Sequence, residues 1–600
     1  MSTPDVYQLS VASAFGSLTK QEKLYAHFIA NVPEANGIFD FILALYRSCK
    51  GDWERIATEA NIEAEELSKF LDYAALFLSS IGNYFGSGDQ KFVPGMFEES
   101  LTRLASTYPL SQKLPPNNLG PSVLLTQITY YLGDDCLSSN ISSISRLMED
   151  LSIHSENNRL ERYQGSRVNC YDFLQASVDE SIVACDNTTK PPINNKRVRL
   201  VRGDHREELE KICKCLRRAY KYGSNSAQKQ LVQKTMDSFL LGDLELYKGA
   251  QRIWMNDKSP AVETVLGFVE PYRDRLGVRA EFEGIVGILD PAETELLRKL
   301  AEVADTFVSK LPIIFPGINL PNYNDIRQEM GYKNIIFSNR MGVERAQARG
   351  LQMVAEPEQE TYQRHRFHSY YIWAVLHEIL GHGTERFLAG QNWTGVFGDL
   401  PTTVDECRGE LMGAYLIDKP DILALSGYTE QSEVKPEDLV YNMYLQLGVD
   451  GLWGLENYDP LNKKWGQAHS RAHLAIFRHL LRGSNGLYTV HCDPQSRTLT
   501  VKVDRAHILD KGKPSLRWML SRLHVYRCTA DIANCREFYE SLSHVDDEAL
   551  KWRDAVIFHK DSPLAFCQAN TYLNRDQVEL KEYDSTARGI IQSWAERDIL

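Results

Sequence analysis

Apolar residues recur at helical spacing over three early stretches, Lys20–Phe28, Ile38–Cys49 and Glu65–Ile81, and the pattern predicts a helix at each. Pro-rich breaks follow near Pro115–Pro121, and residues 185–197 read as a turn-rich connector. The period then shortens. Val198–Arg202 alternates like a short strand, and Thr264–Tyr272, Glu281–Leu289 and Asp554–His559 are further predicted strands. Tyr488–Val490 with Leu499–Val503 reads as a hairpin, while from Ser369 to about Leu481 the pattern is helical. The sequence has no internal repeat, heptad run, low-complexity tract or phosphate-binding Gly-rich loop. It also lacks a Gly-x-Ser-x-Gly elbow, which removes the commonest serine-hydrolase reading.

At 600 residues the chain exceeds one hydrophobic core, so two or more packed lobes are expected. A net charge of -13 argues against general nucleic-acid affinity. The start, Met1-Ser-Thr-Pro-Asp5, has no basic and apolar leader, and no apolar run approaches the roughly 18 residues of a membrane span. Eleven cysteines are scattered irregularly; Cys213-Lys-Cys215 is the one close pair, and a weak metal pattern. Free thiols in a cytoplasmic, monomeric protein are therefore expected, without nucleic-acid or membrane partners.

The sharpest chemistry lies at His377-Glu-Ile-Leu-Gly-His382, within a predicted helix from Tyr371 to Phe387. The usual helical zinc signature places its two histidines at i and i+4, stacked on one face. Here the spacing is i and i+5, which on an ideal helix leaves the second imidazole about 140° away from the first. One metal is reached by both rings only if the helix widens locally, as in a single π-type turn. Gly381 is the residue best able to relax the backbone there. Downstream, Asp405-Glu-Cys-Arg-Gly-Glu410 lies in a predicted helix from about Val404 to Leu416. Glu406 and Glu410 are four apart and share a face, so one can bind metal while the other orients a ligating imidazole. The bland alternative makes Glu406 the carboxylate of a capping box opened by Thr403.

Together the two motifs, His-Glu-x-x-Gly-His and Glu-Cys-Arg-x-Glu, resemble the dipeptidyl peptidase III family of zinc metallopeptidases. Phe268-Val-Glu-Pro-Tyr-Arg-Asp274 with Glu281-Phe-Glu-Gly284, Gly317-Ile-Asn-Leu-Pro-Asn-Tyr323, Gly331-Tyr-Lys-Asn334 and Trp465-Gly-Gln-Ala-His-Ser-Arg471 extend the resemblance over most of the chain. It implies an α+β fold of two lobes around a wide cleft. A lower lobe, residues 1–290 with 312–350 and 555–600 returning to it, would carry a small β-barrel plus helices. A mainly helical upper lobe, 351–554, would carry one Zn²⁺ per chain on His377, His382 and Glu406, with Glu410 orienting a ligand. The resemblance makes Glu378 the general base and gives His469 and Tyr272 the developing negative charge. Glu270 would receive the α-amine of a peptide, with Asn319 and Asn322 fixing its backbone. The implied reaction is release of dipeptides from the N-terminus of short peptides.

The chain departs from the family at one end of the groove. Pro563 and Leu564 stand where an Arg-Lys pair anchors a substrate carboxylate, and His473 stands where the family tends to have arginine. The stretches His382–Glu406 and Gly284–Asn319 are also shorter than usual. Two alternatives follow: a diverged, aflatoxin-oxidase-like enzyme acting on an uncharged or non-peptide small molecule, or a non-catalytic homologue that binds a regulatory partner. Retention of Glu378 argues against the second, because a pure binder needs no general base.

Overall fold

The computed structural model describes residues 3–30, 38–84, 91–107, 130–133, 147–148, 151, 153–164, 169–185, 196–258, 260–269, 279–291, 294–295, 299, 323, 326, 329–330, 333, 335, 337–346, 350–381 and 400–597. Its contacts divide the chain into two compact units, Met1–Leu289 with Ser562–Leu600, and Asp290–Asp561. The expected return segment 312–350 is counted with the second unit, and much of it lies outside the described residues.

In the first unit the helices Ile38–Cys49 and Ala64–Ser80 form where their apolar spacing predicts them. They bury Phe39, Phe70 and Leu78 in one core with Trp594 of the Ala587–Ala595 helix, and the Trp594 ring meets that of Phe39 edge to face. Strand Asp5–Leu9 pairs in parallel with Leu564–Gln568, so residues near the two ends of the sequence share this core.

A five-stranded sheet runs in the order Tyr131–Gly133, Asn158–Gln164, Asn169–Ala176, Lys196–Asp204, Ile182–Ala184. It is open. Its outer strands, of three residues each, do not pair with one another, so the expected small β-barrel is not formed by the described strands. The strands predicted at Thr264–Tyr272 and Glu281–Leu289 are found as Val262–Val269 and Glu281–Ile288, residues 270–272 lying outside the described residues; they pair antiparallel and share a core with the helix Arg206–Tyr220. That helix buries Cys213 and Cys215, and the ten described cysteines are all free thiols.

The second unit is mainly helical. Glu356–Leu376, Pro401–Leu416, Pro436–Trp453, Ala468–Gly483 and Lys513–Cys528 enclose one core that includes Ile372, Leu411, Leu447, Phe477 and Leu520. Every residue from Leu439 to Val449 is buried, which makes Pro436–Trp453 the central helix of the unit. The hairpin Tyr488–Asp493 with Thr498–Val503 pairs antiparallel as expected. Asp554–His559 is not a strand. It ends the helix Asp547–Phe558, whose N-cap Asp546 accepts the Ala549 backbone N–H at 3.0 Å. Buried Ala549, Trp552, Ala555 and Val556 recur at helical spacing over a longer window than the six residues that suggested alternation. Among the described residues no helix is long and apolar enough to cross a membrane.

Candidate metal centre

The helix Glu356–Leu376 runs directly into a π turn over His377–Gly381. This is the local widening that the i, i+5 histidine spacing requires. His382 itself lies outside the described residues, as do Tyr272, Glu270, Asn319 and Asn322.

The π turn lies flat against the helix Pro401–Leu416. A Cβ on Gly381 would stand 2.6 Å from Gly409 Cα, and one on Gly409 would stand 2.8 Å from His377 Cε1. Two glycines thus let backbone meet backbone where the two motifs cross. Two further bonds span the crossing, and a third, within the helix, steadies one of them. Trp373 Nε1 donates to the Glu410 carbonyl at 3.0 Å, and the fully buried Arg408 donates to the Gly381 carbonyl and, at 2.9 Å, to Asp405. Arg527 reaches the same Asp405 oxygen at 3.0 Å. The capping-box alternative for Glu406 is not realised. The helix starts at Pro401, and Thr403 inside its first turn donates to the Ala468 carbonyl at 3.1 Å and lies 2.6 Å from Tyr539 Oη.

The contact to Ala468 ties this helix to the next one, Ala468–Gly483. Its N-cap Gln467 accepts the Ser470 N–H at 2.6 Å, which sets His469 in the first turn. The result is a cluster of two carboxylates and three imidazoles. His377 Nε2 lies 3.3 Å and His469 Nε2 3.4 Å from one oxygen of Glu406. Their other ring nitrogens face Glu410, His377 Nδ1 at 3.3 Å from Oε2 and His469 Nδ1 at 3.1 Å from Oε1. The two rings lie 5.7 Å apart, inclined by 30°. His473, one turn after His469, places Nε2 3.1 Å from the same Oε1. His377 is 3% exposed and both glutamates 8%, whereas the His469 side chain keeps 39% of its surface open. Glu378, half-buried, follows His377 on the π turn and adds to the negative field on it.

Burial opposes every charge here, and the cluster answers with opposite charges. Against burial, Glu410 and hydrogen bonds to Glu406 and Glu410 hold the His377 imidazolium far above its ordinary range. Against burial, His377 and His473 hold the Glu410 carboxyl well below its own.

The donor set fits a divalent metal. Ligand atoms of His377, Glu406 and His469 all lie within 4.8 Å of one another. Zinc bonds of about 2.0–2.1 Å in a tetrahedron put neighbouring ligand atoms about 3.3–3.4 Å apart. The His377–Glu406 separation of 3.3 Å equals that edge, and His469 Nε2, 3.4 Å from the same Glu406 oxygen, borders the site. Imidazole with carboxylate is a donor set that several divalent metals accept, zinc among them. Of the residues singled out in the sequence, His377, Glu406, Glu410 and His469 converge on one point. His473, noticed only as a departure from a family pattern, belongs to the same cluster. Its signal was the i, i+4 relation to His469 on one helix face.

The sequence pattern of Peptidase family M49 matches residues 110–314, 313–391 and 385–598 of this chain. Dipeptidyl peptidase 3 of Homo sapiens is 29% identical over 99% of the chain and 94% of its own length. The Dictyostelium discoideum protein of the same name is 29% identical over 99% and 96%. Two solved structures share the fold at low identity. DPP III from Caldithrix abyssi has a TM-score of 0.57 at 16% identity, covering 92% of this chain and 94% of that one. Dipeptidyl-peptidase III from a Corallococcus strain has a TM-score of 0.60 at 15% identity, covering 98% and 97%.

Proposed function

The chain belongs to Peptidase family M49 and is a peptidase, and we propose that it is a zinc-dependent exopeptidase releasing dipeptides from the N-terminus of short peptides. The observation that carries this reading is the cluster of buried His377 and Glu406 with part-exposed His469, beside Glu378, supported by relatives named dipeptidyl peptidase 3 across nearly the whole chain. In that reading His377, His382 and Glu406 would hold the metal, with His469 beside it. Zinc, when bound there, would supply Lewis acidity toward the scissile carbonyl and the attacking water. Glu378 takes the proton from that water and returns it to the leaving amine. Glu410 accepts the Nδ1 proton of His377, which leaves Nε2 as the ligating atom. His469, held from Nδ1 by the same carboxylate and open to solvent on its other side, faces the charge that develops on the substrate oxygen, with Tyr272. Glu270 receives the peptide α-amine, and Asn319 and Asn322 hold its backbone. A single chain carries all of these residues, so a monomer suffices, and its free thiols suit a reducing cytoplasm.

The uncharged pair Pro563–Leu564 favours a second reading of the substrate. Pro563 accepts the Asp5 N–H at 2.9 Å and Leu564 opens a strand, so nothing at these two positions supplies a cation for a substrate carboxylate. A substrate with an uncharged end, peptide or not, fits that chemistry.

A panel of dipeptidyl arylamides, with tri- and tetrapeptides as free acids and as amides, separates the readings. The expected result is turnover that a chelator abolishes and zinc restores, with amides hydrolysed at least as well as free acids. Turnover indifferent to the chelator sinks the metal mechanism. Silence of a zinc-loaded enzyme toward every peptide moves the assignment to a non-peptide substrate.

A further inference from the structure

Glu410 is the only carboxylate of the described cluster that faces three imidazoles, and the third has no part in the mechanism above. Its two oxygens divide the work. Oε2 faces His377 Nδ1 at 3.3 Å, while Oε1 faces both His469 Nδ1 and His473 Nε2, each at 3.1 Å. A carboxylate that touches only the two rings it orients can turn together with them; a third contact, from a ring packed elsewhere, fixes its plane and direction. His473 is well placed to do the fixing. It lies on the same face of the Ala468–Gly483 helix as His469, its ring packs 5.7 Å from that of Trp373, and Trp373 in turn bonds the Glu410 carbonyl.

We propose that His473 is a positioning residue for the metal centre: its Nε2, at ion-pair distance from Oε1, steadies Glu410, and Glu410 thereby aims His377 at the metal and His469 at the substrate. The inference rests on the metal-centre reading above. It assigns His473 no contact with metal or substrate. A loosened Glu410 lets the His377 ring swing, which weakens metal binding, and lets the His469 ring swing, which lowers the rate of the bound complex. Partners at this remove typically change metal affinity or activity by about ten- to a hundredfold.

The test uses the full chain and two substitutions. His473→Phe keeps a ring against Trp373 and removes the nitrogen; His473→Gln loses the ring and restores an N–H donor near the Nε2 position. Zinc affinity is read by competition with a chromogenic chelator, and kcat and KM by hydrolysis of a dipeptidyl arylamide. The expected result is weaker zinc binding and lower kcat in the Phe variant, little change in KM at saturating zinc, and recovery of both in the Gln variant. Wild-type zinc affinity and kcat in the Phe variant overturn the proposal. Equal damage in both variants also overturns it, because the ring and not the donor would then matter. His473→Leu replaces Phe if that side chain is not accommodated. A wild-type protein that binds no zinc overturns the proposed function and this inference together, whereas a zinc-loaded wild type with an indifferent Phe variant overturns this inference alone.

Discussion

Glu378 and Glu406 stand within one small volume yet answer to different tests. Glu406 presents the oxygen on which His377 and His469 converge, at 3.3 and 3.4 Å. Removing it leaves imidazoles alone around a buried point, and such a set holds zinc weakly. Glu406→Ala should therefore lose most of the one zinc per chain in elemental analysis. Glu378 is not in the ligand set, so Glu378→Ala should keep its zinc and its fold and lose at least about a hundredfold in kcat, the usual scale for a general base. Undiminished zinc in the first variant removes Glu406 from the ligands, and near-normal turnover in the second removes the hydrolytic mechanism.

The decisive element is the crossing of the His377–Gly381 π turn with the helix Pro401–Leu416. A Cβ at Gly381 would stand 2.6 Å from backbone at Gly409, and backbone does not yield as a flexible side chain does. Gly381→Ala must therefore push the two elements apart. Overpacking of this kind costs about 1–3 kcal/mol, and here it also widens the gap between His377 and Glu406. A lower melting temperature and weaker zinc binding in the same variant are expected. A variant that melts and binds zinc like wild type would mean that the crossing has slack. The π turn itself was legible in advance, because two histidines five apart can share a metal only across a widened turn. The strands Asn158–Gln164 and Asn169–Ala176 were not. They carry charges that pair across the sheet, as buried Asp172 with Arg199 at 2.8 Å, so the segments look polar until the neighbouring strand is in place.

At the scale of the molecule, the helical unit carries an acid sensitivity of its own. Burial and the neighbouring Arg408 guanidinium push His524 down to about 3, and the side chain lies 3.1 Å from the Cys528 thiol. The native state therefore holds it neutral, whereas the unfolded chain protonates it below about pH 6.5. A histidine with a depressed native pKa contributes stability that is complete above pH 6.5 and is lost as pH falls toward 3. By pH 5 the loss is about 2 kcal/mol. His524→Gln has no proton to gain, so its unfolding free energy should fall less between pH 7 and pH 5 than that of wild type, by about that amount. Denaturant titrations at the two pH values read the difference, and equal acid slopes would show that His524 is not neutral in the native state.

What the sequence determined by itself is whatever contiguous residues encode. The helices Ile38–Cys49 and Pro401–Leu416, the hairpin near 488–503, the widened turn at Gly381 and the shared face of Glu406 and Glu410 all follow from spacing along one segment. Asp554–His559 shows the limit of that information, since six residues do not separate a period of 2 from one of 3.6, and the longer helix absorbed them. Tertiary structure alone decided which segments meet. His469 lies 59 positions from Glu410, and Asp5–Leu9 pairs with Leu564–Gln568 almost a full chain length away. The physical reason is that periodicity records which face of an element is buried, but not what buries it. Partner choice comes from packing, as where Gly381 and Gly409 allow two backbones to touch and so bring His377, His469 and His473 onto one carboxylate.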